Sequence, residues 1–153
     1  MGQTSLSTNN FNLGSGTVGD EQVKTSANID ADKLQHLYKI GSNFALAIAS
    51  TPAAREEIVF TASGTASVRA FKCLLNDTGT STDVDFDLKK NGSSILSAAV
   101  NITNAAADRA VQTGTIANAA LAAGDVVSLS LATTSTTGAQ GPFAWVEVEE
   151  VAV

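Results

Sequence analysis

The sequence predicts an all-β domain, an antiparallel β-sandwich or jelly roll of about eight strands, preceded by an extended N-terminal arm. Three observations carry that expectation. Val84, Phe86 and Leu88 alternate with Asp83, Asp85, Asp87 and Lys89. A strand sends successive side chains to opposite faces, so one face is apolar and the other charged. Asn91-Gly92 follows at once, and both residues tolerate the positive φ of a type I′ hairpin turn. Further short apolar runs recur along the chain, separated by Gly, Pro, Asn and Asp, without the strand–helix alternation of a parallel sheet.

Taken in order, residues 1–30 are rich in Thr, Ser, Asn and Gly, with Leu6, Phe11, Leu13, Val18, Val23 and Ile29 scattered among them. That composition closes no core of its own. The expectation is an arm that orders against a neighbouring surface through Leu6, Phe11, Leu13 and Val18, followed by a β-sandwich over 31–153. The stretch from Ile29 to Lys39 is ambiguous. Ile29, Lys33, Leu34, Leu37 and Tyr38 would line one side of a short helix that Gly41 ends. Asn43 to Ala49 alternates Phe44, Leu46 and Ile48 with small residues and reads as a strand, broken by Thr51-Pro52.

Glu57 to Ala62 and Ala66 to Leu75 read as two more strands, with a turn at Asn76-Asp77-Thr78-Gly79 before the hairpin of Thr82 to Leu96. Val100 and Ile102 suit its returning strand, and Arg109 to Ala117 is a weaker one. Leu121 to Asp125 turns into Val126 to Ala132. Thr133 to Gly141 reads as a Ser/Thr-rich loop, and Phe143 to Val151 as the last strand. The expected core holds Val84, Phe86, Leu88, Val127, Leu129, Leu131, Val146 and Val148, with the three aspartates outside.

Composition narrows the function. A chain of 153 residues fits one domain, burying roughly two-thirds of its unfolded surface. Hydrophobic residues reach 44% but aromatics only 5%, so the core should be thin and aliphatic, with Phe as its main bulk. Fifteen Asp+Glu against nine Lys+Arg give a net charge of -6. That balance argues against nucleic acid, whose phosphates need clustered cations. Lys89-Lys90 reads as a solubilising edge. No run approaches the roughly 18 apolar residues of a membrane helix. The N-terminus lacks the basic and apolar regions of a secretory signal. A soluble chain that neither binds membranes nor uses the standard export route is expected.

Chemistry is sparse. Cys73 is the single cysteine and reads as a buried, inert thiol. His36, the single histidine, cannot build a His or Cys/His metal motif, and no nucleophile-elbow spacing accompanies it. Asp83, Asp85 and Asp87 lie along one strand face instead of around a curved calcium loop. They read as an acidic stripe that blocks promiscuous strand pairing. No catalytic residue, metal or cofactor is expected, and the chain reads as a non-enzyme.

The runs Glu57-Ile58-Val59-Phe60, Val68-Arg69-Ala70-Phe71-Lys72, Val84 to Leu96 and Leu121 to Val127 resemble the jelly-roll domains of tailed-bacteriophage virion proteins. Among these, the chain is most similar to capsid decoration (cement) proteins, over roughly residues 34 to 151. The resemblance implies a homotrimer on the outer surface of the capsid, with the major capsid protein as partner. The other class in view is a fibre or carbohydrate-binding β-sandwich module, with Trp145 or the segment from Thr133 to Gly141 as its recognition surface.

Overall fold

The computed structural model describes residues 35–151, and over them the fold is all-β and antiparallel. Eight strands form one sheet: β1 (Gln35–Ser42), β2 (Arg55–Thr61), β3 (Ala66–Lys90), β4 (Ser93–Ser94), β5 (Val100–Thr103), β6 (Gln112–Gly114), β7 (Ala120–Leu121) and β8 (Val126–Val151). β3 and β8 are a pair of long strands matched from Ala66↔Glu150 to Lys90↔Val127, with register shifts at Val68/Ala70, Thr78/Ser81 and Asp83/Val84. β1 and β2 flank β8, while β4 to β7 flank β3. The sheet curls on itself and encloses the core as a β-sandwich does.

Two features let so long a ribbon curl. Opposite Thr137 and Ala139, β3 advances from Thr78 to Ser81 and so carries one extra residue, a bulge that sharpens local twist. Gly79 sits in that bulge at φ +64°. A β-carbon there would lie 2.4 Å from the Thr137 carbonyl oxygen and 2.5 Å from the Ala139 nitrogen, both rigid backbone. Only glycine fits.

The period-two reading of the core holds. Val84, Phe86, Leu88, Val127, Leu129, Leu131, Val146 and Val148 are all buried, joined by Phe44, Phe71, Cys73 and Leu75. Phe44 and Phe86 meet with ring centroids 6.0 Å apart. The predicted turn is also present, with Asn91 at φ 50° and Gly92 at φ 81°. It is clasped to the turn before β8: Asn91 N–H donates to the Val126 carbonyl at 2.8 Å, and Val126 N–H returns to Asn91 Oδ1 at 2.9 Å.

Other expectations need correction. Residues 35 to 42 form a strand, not part of a helix, because pairing with β8 puts Ile40 opposite Val146 beside the core. Asn43 to Ala49 is a pair of tight turns, not a strand. Phe44 stands at φ 56°. Its N–H donates to Ser42 Oγ at 2.8 Å and its carbonyl accepts from Arg55 Nη1 at 2.7 Å. With both backbone groups satisfied by side chains, Phe44 needs no ladder.

Asn76-Asp77-Thr78-Gly79 does not reverse the chain. Asp77 accepts the Gly79 N–H at 2.8 Å, a local turn absorbed into the bulge. Thr133 to Gly141 is strand as well, since β8 runs unbroken through it. There Ser135 Oγ donates to the Ser81 carbonyl at 2.8 Å across the ribbon. The returning strand of the hairpin pairs only at β4 and β5, and the weaker strand shrinks to β6.

Candidate functional site

The arm anchors Leu6, Phe11, Leu13 and Val18, and the boundary at residue 30, lie outside the described residues. Of the two recognition surfaces suggested by sequence, one is not a loop and the other is largely covered. Thr133 to Gly141 is paired strand, and Trp145 is only 9% exposed. Trp145 packs beside Phe143, ring centroids 5.8 Å apart, under Lys39 Nζ at 5.1 Å from its centroid. Its buried Nε1 has no hydrogen-bond partner among the described residues.

The acidic stripe is half-buried and bonded. Asn101 Nδ2 bridges Asp83 and Asp85 from β5, and Asp87 accepts from Ser94 Oγ at 2.7 Å and from the Leu88 N–H at 2.8 Å. β3 is paired on both sides here. The aspartates therefore tie an inner strand to its neighbours and guard no edge. Lys89 and Lys90 are likewise tethered: Lys89 Nζ donates to Glu56 at 2.8 Å and Lys90 Nζ to the Ala120 carbonyl at 3.1 Å. Lys89 and the Ser128 hydroxyl hold the Glu56 carboxyl below the usual carboxylate range.

Cys73 is buried, and desolvation pushes its thiol up to about 12, so the thiolate that reactivity needs is suppressed. His36 is exposed, with Nδ1 3.4 Å from the Tyr38 hydroxyl. Among the described residues no three His, Cys, Asp or Glu side chains gather as a metal site.

Two surface features do stand out. At the sheet edges, β1 and β2 each pair with β8 alone among the described strands. Leu37 on β1 is 64% exposed and Ile58 on β2 is 71% exposed. Tyr38 packs on Phe60 with centroids 5.8 Å apart, so apolar side chains of both edges come together.

The second feature is a cleft of about 820 Å³ where the turns after β1 lie over β3 and β8. Leu46, Ile48, Leu74, Pro142 and Phe143 give it hydrocarbon walls, and Asn76 and Arg109 give it a polar side. Gly141 seats the turns. Its N–H donates to the Ser50 carbonyl at 2.9 Å, and a β-carbon on it would lie 2.4 Å from the Ile48 oxygen. Among the described residues four non-glycines stand at positive φ, and one of them, Arg109 at φ 59°, lines the cleft.

Arg109 is the charged group of the cleft. Its Nε–H donates to Asn76 Oδ1 at 2.9 Å. The adjacent Asp108 is engaged by Thr78, whose N–H donates at 2.8 Å and whose hydroxyl lies 2.9 Å away. These bonds, more than the Arg109 charge, hold the Asp108 carboxyl below its usual range. Sequence reasoning missed the cleft because its walls come from five separated stretches. The one local signal was Gly141-Pro142-Phe143, an aromatic directly after a turn dipeptide.

No family model matches the chain, and no curated protein does. A solved structure, the EclA C-terminal domain, a sugar-binding protein, is similar at 11% identity, over 90% of this chain and 89% of that one, with a TM-score of 0.38. A similarity at that level fixes neither fold nor function.

Proposed function

We propose that the chain is a structural virion protein that decorates and stabilises a tailed-phage capsid. In this reading it is a non-enzymatic homotrimer on the capsid outer surface. It binds the major capsid protein shell through residues 1–30 and a face of the β domain. The observation that supports contact as its mode of action is the exposure of Leu37 and Ile58 on two sheet edges that have no partner among the described strands. Edges and apolar groups left open in this way are sites for another chain. The resemblance of the hairpin and its flanking strands to phage jelly rolls supplies the virion context.

The test is occupancy on capsids assembled from the major capsid protein encoded alongside this chain. Full-length protein is expected to saturate them, and protein lacking residues 2–28 to bind poorly. Because the arm anchors are apolar, binding should survive moderate salt better than an ion-pair interface would. Failure of the full-length chain to bind any such shell would refute the reading. Undiminished binding by the shortened chain would move the attachment to the β domain.

A carbohydrate-binding module is the other reading. Trp145 is largely covered, and the cleft that stands open has walls that are mostly hydrocarbon. Sugar recognition needs many paired hydroxyls, and the Ser42 hydroxyl there already donates to Glu57 and accepts from Phe44. The assembly reading is preferred.

A further inference from the structure

The geometry points to the cleft beside Arg109 as a binding site for a small amphiphilic carboxylate, its hydrocarbon part against Ile48, Leu74 and Phe143 and its charge on the guanidinium. This is independent of the virion reading. The volume, about 820 Å³, falls within the roughly 300–1,000 Å³ of sites that enclose small molecules. Such sites pair apolar walls with a few placed polar groups, and this one does the same.

Ile48 is 69% exposed and Phe143 37% exposed, so large apolar groups stand open at its mouth. The one guanidinium is oriented, since the bond from its Nε to Asn76 fixes the plane of the fork. Among the described residues its terminal amino groups make no hydrogen bond and no ion pair with an acid. A planar fork held in this way suits two parallel hydrogen bonds to a carboxylate.

Asp108, the nearest competitor for that charge, is occupied by Thr78. The strained positions add a second line. Non-glycine residues held at positive φ cluster where a site is preorganised. Here Arg109, the charged lining residue, is itself held at φ 59°. A phosphate dianion is a poorer fit, because one arginine must serve it in a chain of net charge -6.

The experiment uses the full chain and sodium octanoate, with 1-octanol and sodium acetate as the uncharged and short-chain arms. Trp145, the single tryptophan, lies against Phe143 of the cleft wall and reports occupancy by its fluorescence. Octanoate should give a saturable change at a lower concentration than either control. Arg109→Gln should weaken octanoate about tenfold or more, as loss of a charged hydrogen bond does, and leave 1-octanol unchanged. Ile48→Asp, at an exposed position that tolerates a charge, should weaken octanoate by repulsion and stands in if Arg109→Gln misfolds. Equal affinity for octanoate and 1-octanol, an unaltered affinity in either variant, or no saturable response to octanoate would overturn the assignment.

Discussion

At the scale of single residues, burial decides which groups can do chemistry. Cys73 faces the core between Phe71 and Leu75, where an anion would have no water and no cation beside it. Desolvation therefore favours the neutral thiol, and the folded value of about 12 lies well above the ordinary 9.0. The consequence for stability follows by linkage. Below the ordinary value both folded and unfolded chains keep the proton, and the thiol contributes no pH dependence. Between about 9 and 12 only the unfolded chain releases it, so stability falls as pH rises through that window. Urea unfolding at pH 7 and pH 10.5 should show this loss, and Cys73→Ala should remove the Cys73 share of it. A native thiol that reacts with iodoacetamide at pH 8 as fast as the urea-unfolded chain would contradict the burial.

At the scale of elements, the β3–β8 ribbon depends on the bulge at Gly79. Gly79→Ala forces a β-carbon into three backbone atoms of β8 at a positive φ. The strain of such a position is about 1–3 kcal/mol, and the clash adds to it. The variant should therefore melt several degrees lower, while Gly92→Ala, whose β-carbon meets nothing within 4 Å, should lose less. Equal melting points would mean that the ribbon can straighten. What was legible in the sequence follows the same line. The halves of β3 and β8 that wrap the core place their core residues at every second position, so Val84 to Leu88, Val127 to Leu131 and Ala144 to Val148 were readable by period, although Ser128 and Trp145 between them are buried too. Their middles were not. Ser81, Ser135 and Thr137 lie away from the core, where nothing selects an apolar face, and polar strand looks like loop. Phe44 misled for the opposite reason, being a core residue delivered by a turn instead of a ladder. The cleft was illegible because Arg109, Ile48 and Phe143 converge only through the curl of the sheet.

At the scale of the whole molecule, the open question is what covers the β1 and β2 edges. The chain is 15.6 kDa, with a mean hydropathy of +0.12 and a net charge of -6. Exposed Leu37 and Ile58 beside half-open edges are a poor surface for an isolated domain. The proposed homotrimer offers an arrangement in which β1 of one copy meets β2 of the next. Charge adds little to that pairing, since Glu56 is held by Lys89, Glu57 by Ser42 and Lys39 by Glu147, so the exposed apolar groups must carry it. A contact between two different edges is heterologous, and it ends in a ring only if the rotation between copies closes. Three copies close at about 120° per step by that rule. Sedimentation of the full chain at micromolar concentration should then give three times the chain mass. Leu37→Asp with Ile58→Asp should shift it to monomer without lowering the melting point of the β domain, because both side chains are already mostly in water. A wild-type monomer would refute the trimer. A trimer that survives the double substitution would place the subunit contact elsewhere and leave these edges for the shell.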